Sequence, residues 1–211
     1  MVNPEDVPDQ DVMGGTPGPL SDRDTEVVRV IEDEGLSVFT FDGLRRIMGS
    51  HPETLSRALD RLEEGGMVVR SHEGYSTTGK AKGMVRLTPV FSIEKRVPIL
   101  HTFLPYDASL RVIVAGLKGR WFDRMRWVGI AEGEDGVVMK WVADDGSVII
   151  DARFSSGQLN IEARIRKDSD LSEAVRAAHQ LIARVSRMYA SHRPGSRPSL
   201  LQIGHFSTPA M

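Results

Sequence analysis

The stretch of residues 50–69 constrains the fold of this chain more than any other segment. Its apolar residues recur at the spacing i, i+3, i+4 and i+7: Leu55, Ala58, Leu59 and Leu62. Such a stripe packs one side of an amphipathic helix against a core. Ser50 and Glu53 have the spacing of a capping box, and the pair Gly65-Gly66 precedes an apolar run. The pattern predicts a capped helix over residues 51–64 that runs directly into a β-strand.

The opposite side of this predicted helix carries polar residues at i, i+3 and i+7. They are Thr54, Arg57 and Arg61. An arginine on a solvent-facing helix can reach a guanine edge in the major groove, or a phosphate. The arrangement therefore predicts a helix that reads DNA.

The segment resembles the recognition helix of winged helix-turn-helix transcription regulators of the MarR and ArsR type. In that family Thr-Leu-Ser-Arg-x-Leu-x-x-Leu-Glu-x-x-Gly-x-Val recurs, and residues 54–68 match every position. The flanking segments fit the same plan: helices over 25–34 and 41–48, and strands 67–71 and 75–78 around the turn 72–74. The likeness covers roughly residues 22–85, well under half of the chain.

The resemblance implies a third helix in the major groove and a hairpin wing on the adjacent backbone or minor groove. Arg57 is the first candidate for a base contact. The DNA-binding residues implied are Thr54, Ser56, Arg57 and Arg61 on the helix, and Arg70, His72, Lys80 and Lys82 in and after the wing. The residues in and after the wing are expected to contact phosphates. They would thereby set the register of the protein on the duplex and the salt dependence of its affinity.

Charge leaves an alternative open. Residues 21–90 contain 10 Lys and Arg against 12 Asp and Glu, whereas a module that binds DNA strongly is usually basic. A winged helix can also dock a protein partner, or join an assembly, without sequence-specific DNA contact. Affinity for DNA would have to come from the placement of a few cations rather than from bulk charge.

Composition shifts divide the 211 residues into five ranges. We expect an acidic disordered leader (1–20), the winged helix-turn-helix domain (21–88), a proline-containing connector (89–107), an α+β dimerisation or sensor domain (108–190) and a tail (191–211). The spacing of Pro89, Pro98 and Pro105 disfavours a long helix, so the dimerisation helices of MarR proteins are not expected here. Two small, separate domains fit this pattern best.

The C-terminal half has turn signals at regular intervals: Asp135-Gly136, Asp145-Gly146 and Ser156-Gly157. They predict an antiparallel meander of four strands near 124–131, 137–142, 147–154 and 158–166, with an earlier strand over Leu110 to Ala115. A long helix is expected from Leu171 to about Tyr189. The predicted fold class is therefore α+β: a winged helix-turn-helix domain followed by a β-meander covered by a long C-terminal helix.

That helix has an apolar face made of Leu171, Val175, Ala178, Ile182 and Val185. The spacing suits packing on its own sheet, and it also suits a coiled-coil seam between two copies. A regulator that reads a two-fold operator is expected to be a homodimer, and a sheet edge is another surface for dimerisation.

Residues 116–127 concentrate cations and two tryptophans. Lys118, Arg120 and Trp121 would suit a pocket for an acidic or aromatic small-molecule effector. Alternatively, Trp121, Phe122 and Trp127 fill the core, or the segment is a stacking platform for nucleic acid.

Other chemistry is poorly supported. The chain has no cysteine, and its six histidines lack the spacing of a metal site. Asp144 and Asp145 fit a hairpin turn better than an acid–base pair, and no phosphate-binding or dinucleotide motif is present. We therefore expect neither an enzyme nor a cofactor. The net charge of −2 and the lack of a membrane-spanning run favour a cytoplasmic protein without a membrane partner.

Overall fold

The computed structural model describes residues 20–81, 94–105, 107–133, 136–166 and 170–192. The first range contains three helices and three short strands. They are α1 (Asp22–Asp33), β1 (Val38–Phe39), α2 (Phe41–Met48), α3 (Pro52–Glu64), β2 (Val68–Ser71) and β3 (Gly74–Thr77). The later ranges contain β4 (Glu94–Phe103), α4 (Leu110–Leu117), β5 (Met125–Gly133), β6 (Gly136–Ala143), β7 (Val148–Ser155), β8 (Gln158–Arg166) and α5 (Ser172–His192).

All eight of these strands belong to one antiparallel sheet, which confirms the α+β class. The strand order is β2-β3-β1-β5-β6-β7-β8-β4. The two-residue strand β1 joins the halves, because Phe39 pairs with Tyr75 of β3 on one side and with Gly129 of β5 on the other. The sheet therefore runs across the predicted boundary between two separate domains.

Helices cover both faces of the sheet. On one face, α4 and α5 pack on a core that includes Trp141 and Phe154. On the other face, α1, α2 and α3 form a helical layer whose core takes in side chains of the C-terminal strands. These are Val128, Val142 and Ile149, all fully buried. The molecule is thus a three-layer arrangement of helices, sheet and helices.

Several local predictions are confirmed. The four meander strands lie where the turn signals place them, as β5 to β8. The α3 stripe of Leu55, Ala58, Leu59 and Leu62 is buried. The long C-terminal helix is α5, and it packs on its own sheet. Its buried face is Ala174, Ala177, Ala178, Leu181 and Val185, so the predicted face was partly wrong: Val175 is exposed.

The capping box predicted for Ser50 and Glu53 was wrong. The N-cap of α3 is His51, which makes no side-chain cap bond. Ser50 instead completes the end of α2: Gly49 adopts a left-handed conformation, and the N–H of Ser50 donates to the carbonyl of Arg45 at 3.2 Å. This is a Schellman-type C-cap. Because Ser50 is used to end α2, its side chain is not the cap of α3, and the N-cap position of α3 falls on His51.

The strand predicted over Leu110 to Ala115 is helix α4. A short apolar run does not distinguish a buried strand from a buried helix. Here Ile113 and Leu117, four residues apart, are buried against the sheet. Gly116 lies so close to the sulfur of Met188 on α5 that a larger residue at this position would force the Met188 side chain to move.

The range 89–107 was predicted to be a connector, but it contains strand β4, which belongs to the sheet. It pairs with β8 along its length and has a bulge between Pro98 and Leu100. Pro98 is accommodated because β4 lies at the edge of the sheet as described, where no described strand on its other side would accept an N–H bond. The leader 1–19, Lys82 and the tail beyond His192 lie outside the described residues.

Candidate nucleic-acid interface

The outward face of α3 carries the predicted base-reading residues. Arg57 is the most accessible, since 70% of its side chain is exposed. Thr54 and Ser56 lie beside it and are half-buried. The Arg57 guanidinium pairs with Glu53 one turn earlier. An exposed pair of this kind contributes little to stability, so Arg57 can exchange Glu53 for another acceptor at small cost.

Arg61 is held differently from Arg57. Its Nε and Nη2 atoms donate to both carboxylate oxygens of Asp24, with Nη2 at 2.6 Å from Oδ1. Asp24 is buried in the first turn of α1, where it also forms a capping box with Ser21. The hydrogen bond from Arg61 is the main reason that the pKa of Asp24 is lowered. Arg61 thus fastens α3 to α1, which is a structural use of its charge.

The hairpin of β2 and β3 stands beside α3. Arg70 binds Asp60 of α3 at 2.7 Å and lies over the ring of Tyr75. His72 at the hairpin turn has 90% of its side chain exposed. Lys80 donates from Nζ to the carbonyl of Gly65 at 2.8 Å. Of the predicted wing residues, His72 is therefore the one most open to a partner.

The loop after α4 borders the same hairpin. Lys118 pairs with Glu73 of the hairpin turn. Trp121 is 65% exposed, and the guanidinium carbon of Arg126 lies 4.1 Å from the centre of its ring. Arg120 is exposed, and its carbonyl accepts a bond from Trp141. Lys118 therefore shares a surface with the hairpin turn, whereas Trp121 lies against Arg126, which binds Asp144.

The expectation that Trp121 fills the core was wrong, although the same expectation is confirmed for Phe122 and Trp127. Because Trp127 and Trp141 are 6% and 1% exposed, we predict that iodide quenches only the Trp121 emission. Trp121→Phe should remove the iodide-sensitive fraction of tryptophan fluorescence, measured on the full chain. Quenching that persists in this variant would contradict the described packing.

Sequence reasoning missed a polar cavity on the side of the sheet covered by the helical layer. Its volume is about 350 Å³, and it opens beside the end of α1. Four charged side chains form its floor: Glu34, Lys140, Asp151 and Arg164. Arg164 Nη1 lies 2.8 Å from Glu34 Oε1, and its Nε lies 3.0 Å from Asp151 Oδ2. Lys140 Nζ lies 3.1 Å from Glu34 and 3.0 Å from Asp151.

This floor is electrically balanced. Burial by itself would raise the pKa of Glu34, but the hydrogen bond and charge of Arg164, together with Lys140, lower the pKa to about 2. The sequence held one usable signal, namely charged residues in the middle of otherwise apolar strands. It did not show that these residues face one another, because that depends on strand register.

Comparisons of the chain with protein-family models, curated proteins and solved structures found no match. Within the described ranges, no three histidine or acidic side chains gather closely enough to hold a metal ion. Among the helices that the structure describes, none is both long enough and apolar enough to cross a membrane.

Proposed function

We propose that this protein is a DNA-binding transcription regulator whose first part is a winged helix-turn-helix module. The element order α1-β1-α2-α3-β2-β3, with β3 between β2 and β1, supports this proposal. The observation that carries it is the outward face of α3, where Arg57 stands exposed between Thr54 and Ser56 and beside the hairpin. That is the placement a helix needs to enter a major groove.

In the proposed complex, α3 lies in the major groove and Arg57 leaves Glu53 to grip a guanine. Thr54 and Ser56 contact bases or phosphates, and the hairpin with His72 approaches the neighbouring backbone. Arg61 and Arg70 keep their carboxylate partners and position α3 and the hairpin. Because few of the cations described on α3 and the hairpin are free to replace counterions, we expect a shallow dependence of affinity on salt.

The first test is a selection of bound duplexes from random genomic fragments. Arg57→Ala should weaken binding to the selected duplex by about 1–3 kcal/mol, the value of a bidentate arginine–guanine contact. Arg23→Ala is the matched control, since Arg23 forms a similar exposed pair with Glu26 on α1. Recovery of an inverted repeat would also report the homodimer that the proposal includes, and its half-site spacing.

The proposal fails if no duplex is enriched at low salt, or if Arg57→Ala and Arg23→Ala bind alike. A second candidate then takes its place: a winged module that docks a protein partner. The observation in its favour is the acidic content of α3, which carries Glu53, Asp60, Glu63 and Glu64. These carboxylates repel phosphate but suit a basic protein surface. If the module docks a protein, any residual binding of the chain to DNA should be the same with and without Arg57.

A small-molecule effector also belongs to the proposal. Coupling requires the effector to favour one placement of the reading helix over another. The residues predicted to hold it are Lys118, Arg120 and Trp121. Of these, Lys118 pairs with Glu73 of the hairpin turn, where it suits contact with DNA as well. The cavity next to α1 is a separate place for a small ligand.

A further inference from the structure

The hairpin turn that the proposed function brings to DNA carries a negative charge. Glu73 lies in this turn, between β2 and β3 and next to the exposed His72. The hairpin borders the face of α3 that carries Arg57, because Arg70 of β2 binds Asp60, one helical turn after Arg57. A carboxylate on this surface repels the phosphates of a duplex. The turn therefore needs a cation before it can approach DNA closely.

Lys118 supplies that cation from the other half of the chain. Its ammonium group pairs with the carboxylate of Glu73, and this hydrogen bond is the main reason that the pKa of Glu73 is lowered. Glu73 is therefore ionised at neutral pH, and its charge has to be compensated. His72 also lies 3.8 Å from the same carboxylate, but its imidazole carries a charge only when it is protonated. Lys118 is the permanent partner.

The loop after α4 holds Lys118 in place through its backbone. The N–H of Lys118 donates to the carbonyl of Val114 at 2.9 Å, and the N–H of Arg120 donates to the carbonyl of Leu117 at 3.0 Å. The carbonyl of Arg120 in turn accepts a hydrogen bond from Nε1 of Trp141 at 2.7 Å. Leu117 and Trp141 are buried in the core under α4 and α5. Lys118 therefore extends from a backbone that is fixed to the C-terminal half.

We propose that Lys118 is a positioning residue for DNA binding that acts through Glu73: its ammonium group neutralises the hairpin turn, so that the turn can approach a DNA phosphate. The inference rests on the proposed regulator function, and it adds the loop after α4 to the DNA-binding surface. An exposed ion pair contributes little to stability, so the loss of Lys118 affects binding more than folding. Without Lys118, the carboxylate of Glu73 faces the phosphates uncompensated.

The test is a cycle of three full-length variants, Lys118→Gln, Glu73→Gln and the double variant, titrated against the duplex recovered by the selection. We expect Lys118→Gln to bind about fivefold more weakly, because it leaves the charge of Glu73 uncompensated. Glu73→Gln should bind about threefold more tightly and with a steeper salt dependence, because Lys118 becomes free to contact a phosphate. The double variant should bind within about twofold of the wild type, since it has lost both charges.

Arg176→Gln is the matched control for Lys118→Gln. Arg176 forms a similar surface pair with Asp123, with Nε and Oδ2 2.9 Å apart. It is on α5, which packs on the face of the sheet opposite the helical layer that contains α3. Arg176→Gln changes the net charge of the protein by the same amount, yet we expect a change in affinity of less than about twofold, because distant charges are screened.

Three results would overturn this inference and leave the regulator proposal standing. The first is wild-type affinity in Lys118→Gln. The second is a double variant as weak as Lys118→Gln, which would mean that Lys118 does not act through Glu73. The third is an equal loss in Arg176→Gln, which would make the effect one of net charge. All three are measured on a duplex that Arg57→Ala weakens. If the selection enriches no duplex, the proposed function and this inference fail together.

Discussion

Arg164→Ala should lower the free energy of unfolding by about 3–5 kcal/mol, the usual cost of removing one partner from a buried ion pair. The guanidinium of Arg164 binds Glu34 of the helical layer and Asp151 of β7. Without it, two carboxylates remain in the buried floor, and among the described residues Lys140 is the one cation left to compensate them. Urea unfolding of the full chain measures this loss.

Two variants sharpen the measurement. Arg153→Ala removes an exposed arginine from the same face and should change stability by less than about 0.5 kcal/mol. Arg164→Lys should restore only part of the loss, because an ammonium lacks the several N–H groups with which the planar guanidinium donates to both oxygens of Glu34 and also pairs with Asp151. Equal midpoints for Arg164→Ala and Arg153→Ala would show that the floor is not stabilised as described.

The same network predicts a dependence on pH. The pKa of Glu34 is about 2 in the folded protein and its ordinary value is 4.5. The unfolded chain therefore takes up a proton at higher pH than the folded chain does. The stabilisation is complete above pH 4.5 and is lost as the pH falls toward 2. Between about pH 5 and 3 the wild type should lose more stability than Arg164→Ala, in which the main cause of the lowered pKa of Glu34 is absent and only Lys140 still lowers it.

The second large effect is expected for Gly43→Val, which should destabilise the protein by about 3 kcal/mol or more. Gly43 is the point where α2 meets β5. A side-chain carbon there would lie 2.5 Å from the Cα atom of Val128 and 2.8 Å from Oγ1 of Thr40. The helix would have to move away from the sheet, and the Thr40 hydroxyl, which caps α2 and bonds to β5, would lose its partners.

Gly79→Val is the matched control for this substitution. Apart from its two chain neighbours, no described residue has an atom within 4 Å of a side-chain carbon at Gly79, so we expect a change of less than about 0.5 kcal/mol. Both variants are compared by thermal and urea unfolding. A Gly43→Val protein as stable as Gly79→Val would mean that α2 does not pack on β5.

The local features of the fold could be predicted because each depends on neighbours in the sequence. Helical spacing located α2 and α3, and turn residues located β5 to β8. The three-layer arrangement escaped prediction, although β6 and β7 carried a signal for it. The runs Val137 to Ala143 and Val148 to Ile150 are almost continuously apolar, as in strands covered on both faces. A prediction that puts the N-terminal helices in a separate domain leaves these strands covered on one face only.

The candidate site was predicted in part, for a related reason. Spacing placed Arg57 and Arg61 on one face of α3, and only tertiary structure separates their roles. Asp24 lies 37 residues before Arg61, so no local pattern indicates that the two side chains bind. The cavity floor is a longer-range case, since Glu34 and Arg164 are 130 residues apart.

The two-residue strand β1 determines how this protein can be dissected. A fragment ending at Ala81 would keep the helix that we propose reads DNA, but β1 would become an open edge with unpaired backbone groups. The helical layer would also lose Val128, Val142 and Ile149, so its core would be open to water. The complementary fragment would expose the same three side chains together with the edge of β5. Both fragments would expose apolar side chains and unpaired backbone groups, so we expect both to aggregate. Binding experiments with the isolated N-terminal fragment would therefore measure aggregation rather than binding to DNA.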